Sequence, residues 1–153
     1  MDHDRPRLAK PQELSEIEEV VTASYEKYLP RMDKPPAPME RDYAEAIENR
    51  EIWVVGDPVQ GLISLITTPE GVLLIENVAV HPSAQGSGRG GELMSFAEFV
   101  ATDCGLDRLA LYTNEAMTEN LSLYEHLGFH EVGRRTEDGF RRIYMEKILP
   151  GDP

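Results

Sequence analysis

One stretch decides how this chain is organised: HPSAQGSGRGGEL, residues 81–93. Glycine occupies four of its positions between residues 86 and 91. A backbone this rich in glycine can approach a ligand closely, because no side chain stands between them. Apolar residues then recur at helical spacing from Leu93 to Cys104, which predicts an amphipathic helix directly after the glycines. The stretch therefore indicates a ligand-binding loop that opens a helix.

Three glycine patterns compete for this loop. The phosphate-binding pattern G-x-x-x-x-G-K-[ST] is excluded, because no lysine follows the glycines. Gly86, Gly88 and Gly91 fit the dinucleotide-binding pattern G-x-G-x-x-G. That pattern needs a tight turn after the strand, whereas the five residues 81–85 precede the first glycine here. The third pattern begins one residue earlier, at Gln85, and reads Q-x-x-G-x-G.

The hydrophobic pattern along the chain predicts the element order ααβββαβαββ. The predicted helices run from Pro11 to the residue before Pro30, from Pro38 to Asn49, from the glycines to Cys104, and from Thr118 to Gly128. The predicted strands cover 51–55, 60–67, 72–80 and 108–112, followed by a closing hairpin around Asp138-Gly139. This order is typical of the α/β class, with a mixed, mostly antiparallel sheet flanked by helices.

The composition is that of one soluble globular domain. The chain has 153 residues, of which 41% are apolar and 28% charged, and this length predicts a single domain with its core over residues 7–149. Its net charge of −13 argues against nucleic acid or an anionic membrane as a partner, since both attract basic surfaces. No apolar stretch approaches the ~20 residues of a membrane span. The N-terminus also lacks a signal-peptide pattern, so the cytoplasm is the expected location.

The only cysteine is Cys104, so no intrachain disulfide and no cysteine-based metal site are expected. Its place at the end of an apolar helix stripe predicts a buried thiol. No cluster of His, Asp and Glu residues in the sequence indicates a metal site either.

Two motifs resemble the GNAT superfamily of acyl-CoA-dependent N-acetyltransferases. The first is the Q-x-x-G-x-G pattern over residues 85–90, which follows the strand end VAVHP, residues 78–82. The second is ENLSLYEHLGF, residues 119–129, in which an Asn precedes a Tyr by four residues and Leu-Gly-Phe follows. The closing YMEK, residues 144–147, is also similar to the family. The predicted element order matches the family's fold, so the resemblance implies one N-acetyltransferase domain with that fold.

The resemblance implies acetyl-CoA as the cofactor. The glycine loop and the helix N-terminus would bind its diphosphate through backbone N–H groups and the helix dipole. Backbone groups of Val78 and Val80 would pair with the pantetheine arm, on a strand that splays from its parallel neighbour. The implied cofactor-binding residues are Val78, Val80, Gln85, Gly86, Ser87, Gly88, Arg89, Gly90, Gly91 and Asn120. The Arg89 side chain either adds charge beside the phosphates or points to solvent.

The resemblance also implies that an amine attacks the thioester carbonyl directly, without a covalent enzyme intermediate. A backbone N–H near Val78 would stabilise the oxyanion. Tyr124, on the same helix face as Asn120, would be the general acid for the departing thiolate, because a phenol is protonated at pH 7. Glu76 is the candidate general base, directly or through a water, and its alternative is a solvent-facing strand residue. His81 is a weaker candidate for the base.

The acceptor is expected to contact the chain between Tyr28 and Tyr43 and the closing hairpin. The candidate lining residues are Tyr28, Arg31 and Tyr43. Four arginines lie on the hairpin, at positions 134, 135, 141 and 142. These arginines could bind an acidic acceptor or the 3′-phosphate of coenzyme A. The alternative is that they form a solvated face of the hairpin.

Three functions stay open at this point. The leading hypothesis is an acetyl-CoA-dependent N-acetyltransferase that acts on a primary amine of a small molecule. Its alternative within the family is acetylation of protein N-termini or lysines. An alternative of another class is a non-catalytic acyl-CoA sensor or regulatory module. Members of the family often dimerise, so a homodimer is also expected, and the sequence leaves open whether the acyl group is only acetyl.

Overall fold

The computed structural model describes residues 5–150, and over this range seven strands form one sheet in the order β1-β2-β3-β4-β5-β7-β6. The strands are β1 (Arg7–Leu8), β2 (Ile52–Val55), β3 (Gly61–Thr67), β4 (Leu73–Val80), β5 (Arg108–Asn114), β6 (His130–Glu137) and β7 (Phe140–Ile148). β4 and β5 pair in parallel, whereas β1–β2, β2–β3, β5–β7 and β6–β7 pair antiparallel. The prediction of a mixed, mostly antiparallel sheet is therefore confirmed.

Five α-helices accompany these strands within the described range. They are α1 (Leu14–Tyr25), α2 (Ala37–Glu40), α3 (Tyr43–Glu48), α4 (Arg89–Asp103) and α5 (Thr118–His126). Three short 3₁₀ segments cover Pro11–Glu13, Glu26–Arg31 and Pro82–Ala84. The order of the helices and strands from β2 onward agrees with the sequence prediction.

Two predicted helices are corrected, and one strand was not predicted. The first helical region does not end before Pro30, because the 3₁₀ segment Glu26–Arg31 follows α1 and includes Pro30. This tighter turn accommodates a proline, which has no backbone N–H. The predicted second helix is two short ones, separated at Arg41, which has an extended backbone. β1 was not predicted, because two residues carry no periodic pattern. α5 begins at Thr118, where the sequence predicts the helix to start, and its N-cap is Met117.

The described chain divides into two compact units. The first comprises the residues up to Leu65 together with Asn77–Phe96, and the second comprises Ile66–Glu76 together with the residues from Ala97 onward. The sequence prediction of a single domain over residues 1–153, with its core at 7–149, stays a prediction.

In the first unit, α1 and α3 share one apolar cluster with β2, β3 and β4. Its members include Ile17, Val20, Val21, Ala46, Ile47, Ile52, Val54, Leu62 and Ala79. The start of α4 lies against β3 where Gly61 leaves room, since an added Cβ there would lie 3.2 Å from Leu93 Cδ1 and from the Ala79 carbonyl oxygen. Trp53 and Phe96 pack at 5.8 Å between ring centroids, which holds the same helix against β2. The helix that follows the glycines is therefore firmly anchored to the sheet.

In the second unit, β4 and β5 pair in the register Leu73↔Leu109 to Ile75↔Leu111. The hairpin of β6 and β7 turns through Asp138 and Gly139, both with positive φ, at 52° and 81°. Two consecutive positive φ values define the type I′ turn that the Asp-Gly pair predicts. The closing hairpin is therefore confirmed.

Cys104 is exposed, which contradicts the predicted buried thiol. α4 ends at Asp103, and Gly105 turns the chain at φ +75°, so Cys104 no longer follows the apolar stripe of the helix. We expect Ellman's reagent to modify one thiol per native chain as fast as it modifies a small free thiol. A thiol that reacts only after denaturant is added would contradict this exposure. Cys104→Ser is the control, and this variant should give no reaction with the reagent.

Candidate active site

The loop between β4 and α4 has the backbone that its glycines require. Gly86 has φ +85° and Gly88 has φ +90°, a region that L side chains rarely adopt. α4 begins at Arg89, immediately after these two residues, and runs for 15 residues. A helix of this length presents N–H groups without helical partners and the positive end of its dipole at its first turn.

Open space lies beside this backbone. An added Cβ at Gly86, Gly88 or Gly91 would meet no other atom within 4 Å, and one at Gly90 would meet only Val80 Cγ2, at 3.9 Å. A diphosphate needs such space to reach backbone N–H groups at a helix N-terminus. The predicted contact of this loop with a coenzyme A diphosphate stays a prediction.

Two side chains of the loop hold its own shape. Gln85 Nε2 donates to the Val80 carbonyl at 3.2 Å, which ties the loop to the end of β4. The Ser87 hydroxyl donates to the Ala84 carbonyl, and the Ser87 N–H donates to the same oxygen at 3.3 Å. These contacts hold Gln85 against Val80 and Ser87 against Ala84, and the predicted role of Gln85 and Ser87 in cofactor binding stays a prediction.

The Arg89 side chain folds back onto the protein. Its Nε donates to Gln60 Oε1 at 3.0 Å, and its Nη1 lies 3.3 Å from Glu92 Oε2. Only 15% of the side chain is exposed. The first turn of α4 is thereby fixed to Gln60, which directly precedes β3.

The alternation along β4 agrees with the sequence. Glu76 and Val78 are half-buried on one face of the strand, whereas Asn77 is buried on the other. Val78 and Val80 belong to the first unit and Glu76 to the second. The predicted splaying of β4 from its parallel neighbour stays a prediction.

α5 carries Asn120 and Tyr124 one turn apart, on one face of the helix. Tyr124 is 9% exposed, and its ring meets the Phe129 ring edge-on at 6.0 Å between centroids. The half-buried Asn120 directs Nδ2 to Met117 Sδ at 3.8 Å. The aromatic ring of Tyr124 is therefore packed in place, so its hydroxyl is presented from a fixed position.

The candidate acceptor residues are less open than the sequence suggested. Tyr28 and Tyr43 are each only 3% exposed. The cations of Lys27 and Arg31 lie 5.0 and 5.2 Å from the centroid of the Tyr28 ring. Arg31 itself is exposed, so of the three candidates it offers the largest accessible surface.

Two of the four hairpin arginines, Arg134 and Arg142, lie beside carboxylates. Arg134 donates to Glu131 at 2.8 Å, and this hydrogen bond lowers the pKa of Glu131 and raises the pKa of Arg134. The Arg142 guanidinium lies 4.6 Å from the Tyr112 ring centroid and 3.9 Å from Glu137. Burial, followed by a hydrogen bond to Glu137, raises the pKa of Tyr144. The positive charge of Arg134 and Arg142 is therefore partly offset by neighbouring carboxylates.

One polar group beside the candidate site was missed by sequence reasoning. Asn77 is 4% exposed, accepts a hydrogen bond from the Tyr25 hydroxyl and donates one to the Tyr43 oxygen. The signal in the sequence was an amide in the middle of an otherwise apolar strand, which needs partners when it is buried. Its partners could not be named, because they are distant in sequence.

Residues 5–150 contain neither a cluster of metal-binding side chains nor a membrane-spanning helix. No group of three or more His, Cys, Asp and Glu side chains in that range is arranged to hold a metal ion. None of the helices described there is long and apolar enough to cross a membrane.

A family model described as "Acetyltransferase (GNAT) domain" matches residues 48–131. An uncharacterized N-acetyltransferase of Bacillus subtilis (strain 168), YvbK, is 32% identical over 108 residues, which cover 71% of this chain and 68% of that protein. Together these matches establish the family of the chain.

Solved structures share the fold at low sequence identity. The PaiA N-acetyltransferase from Thermoplasma acidophilum in complex with coenzyme A has a TM-score of 0.75 and 18% identity, over 95% of this chain and 98% of that one. The ribosomal-protein-S18-alanine N-acetyltransferase from Escherichia coli has a TM-score of 0.72 and 17% identity, over 97% and 95% of the two chains.

Proposed function

This chain belongs to the GNAT family of acetyltransferases, and we propose that it transfers an acetyl group from acetyl-CoA to a primary amine of a small molecule. The observation that carries the proposal is the glycine loop at the start of α4. Its positive-φ glycines and the open space beside Gly86, Gly88 and Gly91 suit a diphosphate. The coenzyme A in the Thermoplasma acidophilum relative supports the same cofactor.

The glycine loop, β4 and α5 would hold the cofactor. Backbone N–H groups of residues 86–91 would bind the diphosphate, and backbone groups of Val78 and Val80 would bind the pantetheine arm. Asn120 would hydrogen-bond the cofactor from α5. When bound, acetyl-CoA supplies an acetyl group that is activated as a thioester.

The chain's own residues would then move the protons of the transfer. Glu76 would accept a proton from the acceptor ammonium, directly or through a water, so that the free amine can attack. The amine nitrogen would form a bond to the carbonyl carbon while the carbon–sulfur bond breaks, and the Val78 N–H would stabilise the negative charge on the carbonyl oxygen. The Tyr124 hydroxyl would give its proton to the departing sulfur, and the second proton that the acylated nitrogen must lose would restore the Tyr124 hydroxyl.

The charge of the chain favours a cationic acceptor. At −13 the protein attracts ammonium groups at long range and raises their local concentration. Of the three candidates Tyr28, Arg31 and Tyr43, Arg31 would contact the acceptor, because it is exposed whereas the two tyrosines are buried. A homodimer and a cytoplasmic location are further expectations that the sequence raised.

The test is release of free thiol from acetyl-CoA in the presence of a panel of small primary amines and of peptides. Cys104→Ser protein is used, because the exposed thiol of Cys104 would react with the same reagent. We expect thiol release with small amines, in equal amount to acetylated amine measured by mass spectrometry. Thiol release with peptides alone would show that the acceptor is a protein and not a small molecule. Binding of acetyl-CoA without thiol release from any acceptor would indicate a non-catalytic sensor.

A further inference from the structure

We infer that Asn77, held between Tyr25 and Tyr43, is a positioning residue that orients the Asn77–Val78 peptide group for acetyl transfer. The inference rests on the proposed function, in which the N–H of that peptide group stabilises the developing oxyanion. Asn77 itself would touch neither acetyl-CoA nor the acceptor, and would act through the backbone of β4.

The hydrogen bonds around Asn77 join three parts of the first unit to β4. Tyr25, the last residue of α1, donates its hydroxyl to Asn77 Oδ1 at 2.5 Å. Asn77 Nδ2 donates to the Tyr43 hydroxyl oxygen at 3.0 Å, on the first residue of α3. Tyr43 in turn donates to the Pro38 carbonyl at 2.6 Å, within α2. The strand is thereby tied to α1, α2 and α3 at one residue.

The direction of each bond in this chain is fixed by donor and acceptor counts. The Tyr43 hydroxyl has one proton, and the Pro38 carbonyl can only accept it. The Tyr43 oxygen must therefore accept from Asn77, which requires the amide NH₂ of Asn77 to face Tyr43. Its Oδ1 then faces Tyr25, whose hydroxyl donates. One orientation of the Asn77 amide satisfies every partner, and the flipped orientation satisfies fewer.

An apolar side chain at residue 77 could be buried without any hydrogen-bond partner. Burying an amide carries a desolvation cost that only its hydrogen bonds offset. A leucine in an apolar surrounding would need neither tyrosine hydroxyl. What the polar arrangement adds is a single, directional geometry for the strand. The residue held in this geometry contributes the Asn77–Val78 peptide group, whose N–H would stabilise the oxyanion in the proposed function.

The test compares the kinetics of Asn77→Leu, Tyr43→Phe and Tyr25→Phe. Small misplacements of a catalytic group lower rates strongly, so we expect Asn77→Leu to lower kcat on the order of 10²-fold. The KM for acetyl-CoA should stay within about twofold, since the glycine loop is untouched. Tyr43→Phe should lower kcat more than Tyr25→Phe, because it leaves both the Asn77 amide and the Pro38 carbonyl without this partner.

The matched control is Ser64→Ala. Ser64 is fully buried on β3 and accepts a hydrogen bond from Arg41 at 2.6 Å, so its loss also disturbs a buried polar contact of the first unit. We expect this variant to lose thermal stability and keep its kcat. If Asn77→Leu and Tyr43→Phe keep wild-type kcat, or if Ser64→Ala loses as much, the positioning role is overturned.

A second readout separates this inference from the proposed function. The amide resonance of Val78 is followed by NMR in the wild type and in Tyr25→Phe, a change 52 residues from Asn77 in sequence. We expect the Val78 resonance to shift in Tyr25→Phe and to stay in place in Ser64→Ala. An unchanged resonance overturns the positioning role even if acetyl transfer is found. Absence of transfer in the wild type overturns the proposed function alone.

Discussion

Tyr124→Phe is expected to lower kcat for acetyl transfer by about 10²–10⁴-fold and to leave the affinity for coenzyme A within about twofold. The substitution removes only the hydroxyl oxygen. Tyr124 is 9% exposed and its ring meets Phe129 edge-on, and a phenylalanine keeps that packing. Loss of rate would therefore report the loss of a proton donor for the departing sulfur.

The control for this prediction is Tyr112→Phe, which removes another hydroxyl from the second unit. Tyr112 lies on β5, and its ring packs 5.7 Å from Tyr144 beneath the Arg142 guanidinium. Thiol release measured with saturating acetyl-CoA should be retained in this variant. If Tyr124→Phe also retains wild-type turnover, Tyr124 is not the general acid.

Gly88→Ala is expected to weaken coenzyme A binding by about 10–100-fold, the range that corresponds to loss of one hydrogen bond to a charged group. Gly88 has φ +90°, and its missing side chain leaves open space where the backbone would meet the diphosphate. An added methyl group would strain the loop and stand in that space. Equilibrium titration with coenzyme A measures the change.

Gly71→Ala is the matched control for this substitution. Gly71 has φ +77° in the turn between β3 and β4, and an added Cβ there also meets no atom within 4 Å. Both variants should lose about 1–2 kcal/mol of stability from the left-handed backbone. Only Gly88→Ala should lose affinity, and equal affinity in the two variants would show that the glycine loop does not bind the cofactor.

The parts of the site that depend on local sequence were predictable. Glycines that precede an apolar stripe predict both the loop and α4. The positive φ angles of the loop and the period of the helix each depend on residues that are close in sequence. The spacing of Asn120 and Tyr124 likewise fixes a shared helix face without any tertiary information. The Asp138-Gly139 turn is a third case, where two consecutive residues determine the backbone.

The parts that depend on distant contacts were not predictable. Asn77 meets Tyr25 and Tyr43, which lie 52 and 34 residues away, and no local pattern pairs them. The turn of Arg89 toward Gln60, 29 residues away, follows from the packing of α4 against the sheet. The prediction that Cys104 is buried was wrong because it extended the apolar stripe of α4 one residue beyond Asp103, where the helix ends. For Asn77 and Arg89 the tertiary arrangement decides the outcome, whereas for Cys104 the local end of the helix decides it.

The most direct test of the account is a calorimetric titration of the purified chain with acetyl-CoA, with NAD as the comparison ligand. The account predicts saturable binding of acetyl-CoA at one site per chain, in the micromolar to millimolar range usual for enzyme substrates, and no binding of NAD. Absence of heat with acetyl-CoA up to millimolar concentration, or equal binding of NAD, would contradict it.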